Sequence, residues 1–391
     1  MLSRRHLRIK VFQALYALQA AREANYQLAL DFITESFKPD LNSMTPQDPV
    51  RLEGMRKIAA LLLSENYRKG QITDESDTPA DALVAARNAL RYYQDLLQKD
   101  QQRIAKQLTP EVEKIYSSYL LLLYSFIELG KLSQVERERQ YDDPDTEPLS
   151  KKAGFDTNKV VIALNQSTSL QDELIRHNIS SSAVVLVALL RKVFREVLRK
   201  DETYRAYCSQ AKHTSQEDLL LIQYALREVL LKNEEVVGFF ELHDLYWSEN
   251  GELARKMANK TLKSAIETTG LQLSPLTDDW EEDRYFMEEL FEQTVRGDLE
   301  YEAIVAEPLK NWDLERLSAT DYLLIKMGVS EMINFPAIPV KVTINEALEI
   351  AKEYSTPKSS KFVNGILDTL SKSLVKEGKV RKSGRGLLDN K

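Results

Sequence analysis

The side chains best suited to binding chemistry are arginines and aromatic rings near the N-terminus. One flank of a predicted helix carries Arg5, Arg8, Phe12 and Tyr16, with Arg4 and Gln13 beside them. Single-stranded RNA is typically held by arginine and lysine on its phosphates and by aromatic rings stacked on its unpaired bases. The plainer alternative is that Phe12 and Tyr16 belong to the core and that the arginines are merely solvated.

A second polar and basic cluster lies at residues 358–365 (KSSKFVNG). The apolar repeat of its helix runs through Val363 and Ile366. Three residues therefore lie off the core stripe: Lys361, Phe362 and Asn364. Ser359 and Ser360 at the helix start would present amides and hydroxyls that suit a phosphate, and ordinary helix capping is the alternative.

No constellation of residues in the sequence suggests catalysis. Phosphate-binding loop, dinucleotide-turn, zinc-protease, nucleophile-elbow and kinase motifs are all missing. The single cysteine, Cys208, excludes an internal disulfide and a cysteine-based zinc site, and we expect a semi-buried thiol. The histidines are scattered without ligand spacing. We therefore predict a protein that is not an enzyme and has no metal or cofactor.

Charge is segregated along the chain. The 391 residues carry a formal net charge of -7, yet residues 1–22 hold five basic side chains and no acid. Residues 371–391 hold seven basic side chains against two acids, so both ends are basic and the body is acidic. Such ends either aid solubility or meet a polyanion that the body repels. No apolar run approaches the roughly 18 residues of a membrane span, and we expect a cytoplasmic protein.

Helical periodicity dominates the chain, and no convincing alternating strand appears, which predicts an all-α fold. The N-terminal motif lies on a helix predicted over residues 3–24. Further helices are predicted at 52–69, 79–106, 110–139 and 322–333. Linkers or breaks are predicted at 38–50, 141–148 and 264–279, the last being the best candidate for a domain boundary.

Two signals organise the C-terminal third. Pro336 and Pro339 end the helix before them, because neither proline can continue it. Thr343 and Glu346 match a capping box that would begin the next helix.

An internal similarity links residues 217–247 to residues 282–312, which overlay without gaps at an offset of 65. Duplication of a helical hairpin and chance similarity between amphipathic helices explain it equally well. A true duplication would favour a helical scaffold that binds only proteins.

Three stretches of the chain together resemble the NusB family of bacterial transcription antitermination factors. The first is residues 4–16 (RRHLRIKVFQALY), and the second is residues 311–317 (NWDLERL) with the helix that follows. The third is residues 339–352 (PVKVTINEALEIAK), continued by residues 361–368 (KFVNGILD).

The resemblance implies a double helical bundle assembled discontinuously from residues 1–24 and 281–378. Residues 25–280 would then be a large helical insert of undetermined role, and residues 379–391 a basic tail. The family binds boxA, a short single-stranded element of ribosomal RNA leaders, as a heterodimer with NusE, a small-subunit ribosomal protein. That complex joins the RNA polymerase elongation complex and suppresses premature termination.

The resemblance also implies a role for individual residues. The RNA-binding set would be Arg4, Arg5, Arg8, Gln13, Tyr16, Lys341 and Lys361. The partner-binding set would be Phe362, Asn364 and Lys358. Many members carry an acid where Lys358 stands, so this position could contact RNA instead. Arg5 and Arg8 are both predicted to face solvent.

A similar helical domain forms the front end of a ribosomal RNA cytosine methyltransferase. That enzyme needs a cofactor-binding α/β domain after it, and no such domain precedes Lys391. We therefore favour the antitermination factor, with a stand-alone relative of that front domain as an alternative.

Overall fold

The computed structural model describes residues 2–39, 47–73, 78–138, 149–267, 270–309 and 318–390. Over these residues the chain is helical without a β-strand, which confirms the predicted all-α fold. The helices of the first half are α1 Arg4–Ser36, α2 Pro49–Asn66, α3 Ala80–Glu138, α4 Lys159–Gln166, α5 Thr168–Arg176, α6 Ile179–Ser182, α7 Val184–Glu196 and α8 Glu202–Cys208. The helices of the second half are α9 Ser215–Tyr224, α10 Glu234–His243, α11 Trp247–Ser264, α12 Trp280–Arg296, α13 Asp298–Leu309, α14 Ala319–Asn334, α15 Val340–Tyr354 and α16 Ser359–Lys376.

Short turns complete these elements. The 3-10 turns are Phe155–Thr157, Leu198–Lys200 and Gly384–Asn390, and a π turn spans Ala225–Leu230. Residues 40–46 of the first predicted linker, all of the predicted linker at 141–148 and the motif at 311–317 lie outside the described residues.

The chain divides into two compact units. The first unit comprises Met1–Arg4 and Pro110–Asp283, and the second unit comprises Arg5–Thr109 and Arg284–Lys391. This division differs from a single insert over residues 25–280, because residues 25–109 cluster with the two ends of the chain. The basic tail also belongs to the second unit.

α3 is one helix of 59 residues, although two helices were predicted from its sequence. Pro110 lies inside it, at the point where the two units divide. Proline removes one helical hydrogen bond and crowds the preceding turn. Good helix formers precede it at 105–108 (AKQL), and the helix continues through the proline.

The N-terminal half of α1 packs on the C-terminal helices of the second unit. Leu7, Val11, Leu15 and Leu18 are buried at helical spacing, as the predicted stripe requires. The guanidinium of Arg22 donates to Asp298 on α13 at 2.7 Å. Within the second unit, Arg22 therefore joins α1 to a helix that follows residue 281 in the chain.

The C-terminal half of α1 extends the helix beyond its predicted end at residue 24 and builds a second core. It packs with α2 and the first part of α3 through small and aliphatic side chains. This cluster includes Ala29, Ile33, Ala59, Leu63, Ala82, Ala86, Ala89 and Leu90. The many alanines let the three helices approach closely, so residues 25–109 form a helical bundle within the second unit.

The predicted capping box at Thr343 is wrong. α14 ends at Asn334, as the prolines predict, but α15 already begins at Val340 with Pro339 as its N-cap residue. Pro339 itself is extended, with φ -60° and ψ 143°, as a residue that flanks the first helical turn usually is. Thr343 is therefore inside the helix, and its hydroxyl donates to Glu331 at 2.7 Å.

The first unit is built around the C-terminal part of α3. Its apolar run is buried, and the Tyr119 hydroxyl bonds Thr261 on α11 at 2.8 Å. The same hydroxyl accepts the amide of Ser274 at 3.2 Å, in the non-helical stretch that follows α11. The amide of Leu2 donates to the carbonyl of Leu276 at 2.9 Å, which fixes the N-terminus to that stretch.

The internal similarity extends to the structure of each segment. α9 with the π turn spans 215–230 and α12 spans 280–296, while α10 and α13 begin at Glu234 and Asp298. Buried positions coincide at the offset of 65: 221 and 286, 222 and 287, 225 and 290, 226 and 291, 229 and 294, 236 and 301, 240 and 305. Duplication of a helical hairpin would give this agreement, and so would two amphipathic helices of the same phase, since 218, 219 and 230 are buried but 283, 284 and 295 are not.

Candidate nucleic-acid interface

The N-terminal helix lies beside α15 in the second unit. Arg5 donates to both carboxylate oxygens of Glu346, at 2.8 and 3.1 Å. The rings of Phe12 and Tyr354 meet edge to face, with centroids 5.5 Å apart. Because both contacts advance along α1 and α15 together, the two helices run in the same direction. The contact with Tyr354 lies five residues before α16 begins at Ser359.

Arg5 lies at the surface and is paired with acids. Its side chain is 41% exposed, and Glu349 lies 3.8 Å from it in addition to Glu346. The hydrogen bond to Glu346 raises the pKa of the Arg5 guanidinium. An exposed ion pair contributes only about 0–1 kcal/mol, so a phosphate can compete for Arg5 at small cost.

Arg8 is buried, and the prediction that it faces solvent is wrong. Its side chain is 4% exposed and donates to Glu331 at 2.7 and 2.9 Å. The guanidinium also lies 5.0 Å from the centroid of the Phe286 ring. Arg8 precedes buried Phe12 by four residues and buried Leu15 by seven, so helical spacing places it on the inward face. It orients α1 on the bundle instead of presenting a charge at the surface.

Arg4 clusters with the first unit. It donates there to Glu282 and, at 3.2 Å, to Asp283. The domain division thus separates it from Arg5, its neighbour in the chain.

The aromatic residues of α1 divide between the two interpretations. Phe12 is buried, as the core alternative proposed, whereas Tyr16 is 49% exposed. Gln13 is partly buried and donates to the Tyr354 hydroxyl at 3.4 Å. The exposed ring of Tyr16 therefore stands on the same helix as Arg5.

The second predicted cluster lies at the start of α16. Lys358, Lys361 and Asn364 are exposed, and Phe362 is half-buried beside the buried Val363. This placement agrees with the predicted position of Phe362 next to the core stripe. At the first turn of α15, Lys341 is exposed as well.

Ser359 does not form the phosphate site that its position suggested. It is buried, and its hydroxyl donates to the carboxylate of Asp321 at 2.8 Å. Further hydroxyls surround it, with Ser355 at 2.9 Å and Thr356 at 2.8 Å. A carboxylate in this position repels phosphate, so the serine is a structural group that fixes the turn before α16 to α14.

Three residues of this region were not predicted from the sequence: Glu331, Asp321 and Tyr354. A signal was present for Glu331, because an acid in the apolar run of α14 (YLLIKMGVSEMI) needs a buried cation. Among the described residues, no group of three histidine, cysteine or acidic side chains could hold a metal ion. Nor does any helix of the described chain have the length and hydropathy to cross a membrane.

Comparison with known proteins identifies the class. The NusB family model matches residues 252–372, which run from α11 into α16. The transcription antitermination protein NusB of Salinibacter ruber is 38% identical over 143 residues, covering 34% of this chain and 89% of the relative. This chain belongs to the NusB family.

Two further relatives match over shorter stretches. The transcription antitermination protein NusB of Chloroherpeton thalassium is 41% identical over 104 residues, covering 27% of this chain and 49% of that protein. The protein of the same name from Pseudothermotoga lettingae is 46% identical over 71 residues, covering 18% of this chain and 51% of that protein. No solved structure matches the chain significantly.

Proposed function

We propose that this chain is a transcription antitermination factor that binds single-stranded boxA-type leader RNA of ribosomal RNA operons with a NusE-type ribosomal protein. Its family and the names of its relatives support this role. The observation that carries the RNA proposal is the contact of α1 with α15. It places Arg5 and Tyr16 on the same unit as the start of α16.

The exposed side chains of this surface suit an unpaired strand. Arg5 and Lys361 would bind phosphates, and Tyr16 would stack on a base. Arg8 supports the surface from below, since its ion pair with Glu331 holds α1 in place.

The partner surface would lie beside the RNA surface. Phe362 is half-buried and could bury its ring against another protein, while Lys358 and Asn364 lie nearby in sequence. Glu346, Glu349 and Glu353 recur along α15, which would attract a basic ribosomal protein and speed encounter. The assembled complex would act on the RNA polymerase elongation complex in the cytoplasm.

The test is the salt dependence of RNA binding, measured by fluorescence anisotropy with a labelled boxA-type single strand. Each phosphate contact adds roughly 0.7 to the slope of log K against log salt. Replacing Arg5 and Lys361 together by alanine should therefore flatten the slope by about 1.4 and weaken binding.

A matched control removes the same charges elsewhere. Arg176 and Lys232 are exposed in the first unit, and each is paired with an acid as Arg5 is. The Arg176→Ala/Lys232→Ala variant should bind RNA like the wild type. Equal slopes in all three proteins would remove Arg5 and Lys361 from the interface. No salt-sensitive binding by the wild type would favour the protein-only scaffold.

A further inference from the structure

The C-terminal tail is fixed to the second unit instead of extending freely. Gly378 adopts a φ of +72° after α16, and the amides of Lys379 and Val380 return to the carbonyl of Leu374 at 3.0 and 3.3 Å. This is the usual way in which a glycine ends a helix and reverses the chain. Val380 is then buried, so the tail is directed back onto the bundle.

A second set of contacts holds the tail against the turn between α14 and α15. The amide of Ser383 donates to the carbonyl of Pro336 at 3.0 Å, and Lys382 donates to the carbonyl of Phe335 at 3.0 Å. Gly386 is buried so closely on Pro336 that any Cβ atom would clash with this carbonyl oxygen. The turn Gly384–Asn390 packs on α15. A tail that only aided solubility would need none of these contacts.

Two arginines of the docked tail remain available for a ligand. Arg381 and Arg385 are exposed, and neither forms an ion pair with an acid among the described residues. Arg381 donates to the nearby carbonyl of Gly378, at 3.1 Å. Arg4, Arg5 and Arg8, by contrast, are all paired with carboxylates.

We propose that the docked tail is a second contact surface for the phosphates of single-stranded RNA, with Arg381 and Arg385 as the phosphate ligands. The proposal rests on the proposed function and extends it. The tail packs on α15, and α15 also contacts Arg5. The surface that carries Arg5 and the surface formed by the tail are therefore both attached to the same helix. Among the described residues no acid competes with an RNA phosphate for these two arginines, whereas Arg5 must leave Glu346. Arginine also matches phosphate geometry through two parallel hydrogen bonds.

The first test replaces both arginines by glutamine in the full-length chain. The slope of log K against log salt should fall by about 1.4, because two phosphate contacts are lost. The ratio of affinities for boxA-type and scrambled RNA should stay the same, since phosphate contacts carry no sequence information. An unchanged slope in this variant, with a reduced slope in the Arg5→Ala/Lys361→Ala variant, would overturn the tail proposal and leave the proposed function standing. Failure of the wild type to bind RNA would instead contradict the proposed function itself.

The second test releases the tail without changing its charge. Gly386→Val places a side chain where no Cβ fits, whereas Gly54→Ala is a control at a helical glycine of α2 with open space around it. Circular dichroism checks that both variants fold, and protease sensitivity after residue 378 reports release of the tail. We expect weaker RNA binding for Gly386→Val only. Release of the tail with undiminished RNA affinity would show that docking does not contribute and would overturn that part of the proposal.

Discussion

Replacing Arg8 by alanine should strongly destabilise the second unit. The substitution leaves the carboxylate of Glu331, which is 1% exposed, without the two guanidinium bonds that neutralise it. Among the described residues, the Thr343 hydroxyl is then the only group left that donates a hydrogen bond to this carboxylate. A buried charge cannot recover the lost bonds from water, so the free energy of unfolding must fall.

The size of the effect follows from burial. Removing one partner of a buried ion pair costs about 3–5 kcal/mol, whereas removing one partner of an exposed pair costs about 0–1 kcal/mol. Arg5→Ala is the matched comparison, because Arg5 lies one helical turn away and also binds a glutamate through two hydrogen bonds. The two variants should therefore differ by at least about 2 kcal/mol.

Urea unfolding followed by circular dichroism measures the difference. With a slope of about 2 kcal/mol per M, Arg8→Ala should lower the midpoint of this unit's transition by roughly 1.5–2.5 M. Replacing Arg8 and Glu331 together by methionine should recover most of the loss, because no unpaired charge remains. Equal midpoints for Arg8→Ala and Arg5→Ala would show that the pair is not buried in solution and would refute this reasoning.

Other substitutions and reagents test neighbouring features. Phe362→Ala should weaken NusE-type partner binding. It should lower the free energy of unfolding by less than the roughly 3–5 kcal/mol lost when a core phenylalanine is truncated. A large fall in melting temperature by circular dichroism would place Phe362 in the core. Thr343→Val should lower the free energy of unfolding by about 1–3 kcal/mol, since Glu331 loses a buried donor, and urea unfolding that shows no change would contradict that bond. Burial raises the pKa of the Cys208 thiol to about 11, so a thiol reagent should label the native protein slowly at pH 8. The labelling rate should rise about tenfold per pH unit up to pH 10, and rapid labelling at pH 8 would mean an exposed thiolate.

Local signals in the sequence predicted local features of the fold well. The apolar stripe of Leu7, Val11 and Leu18 is buried, and the helix before Pro336 ends at Asn334. Such features depend on helical periodicity and on the backbone restriction of proline, and both are visible within a few residues.

Features that depend on distant residues were not predictable from those signals. The partner of Arg8, Glu331, lies 323 positions away, and no local pattern indicates that pairing. Thr343 has the spacing of a capping box, but Pro339 begins the helix earlier and Glu331 takes the hydroxyl. Ser359 similarly turns toward Asp321 on another helix instead of toward solvent. In each case a tertiary polar contact decides the role of the side chain.

The most direct test of the proposed RNA function is the affinity of the full-length wild-type chain for a boxA-type single strand, compared with a scrambled strand over a series of salt concentrations. We expect tighter binding of the boxA-type strand at every concentration. For both strands we expect log K to fall as log salt rises, with a slope of about -1.4 or steeper. Such a slope corresponds to two or more phosphate contacts. Equal affinities for the two strands, or affinity that does not change with salt, would contradict the proposal that this surface binds boxA-type RNA.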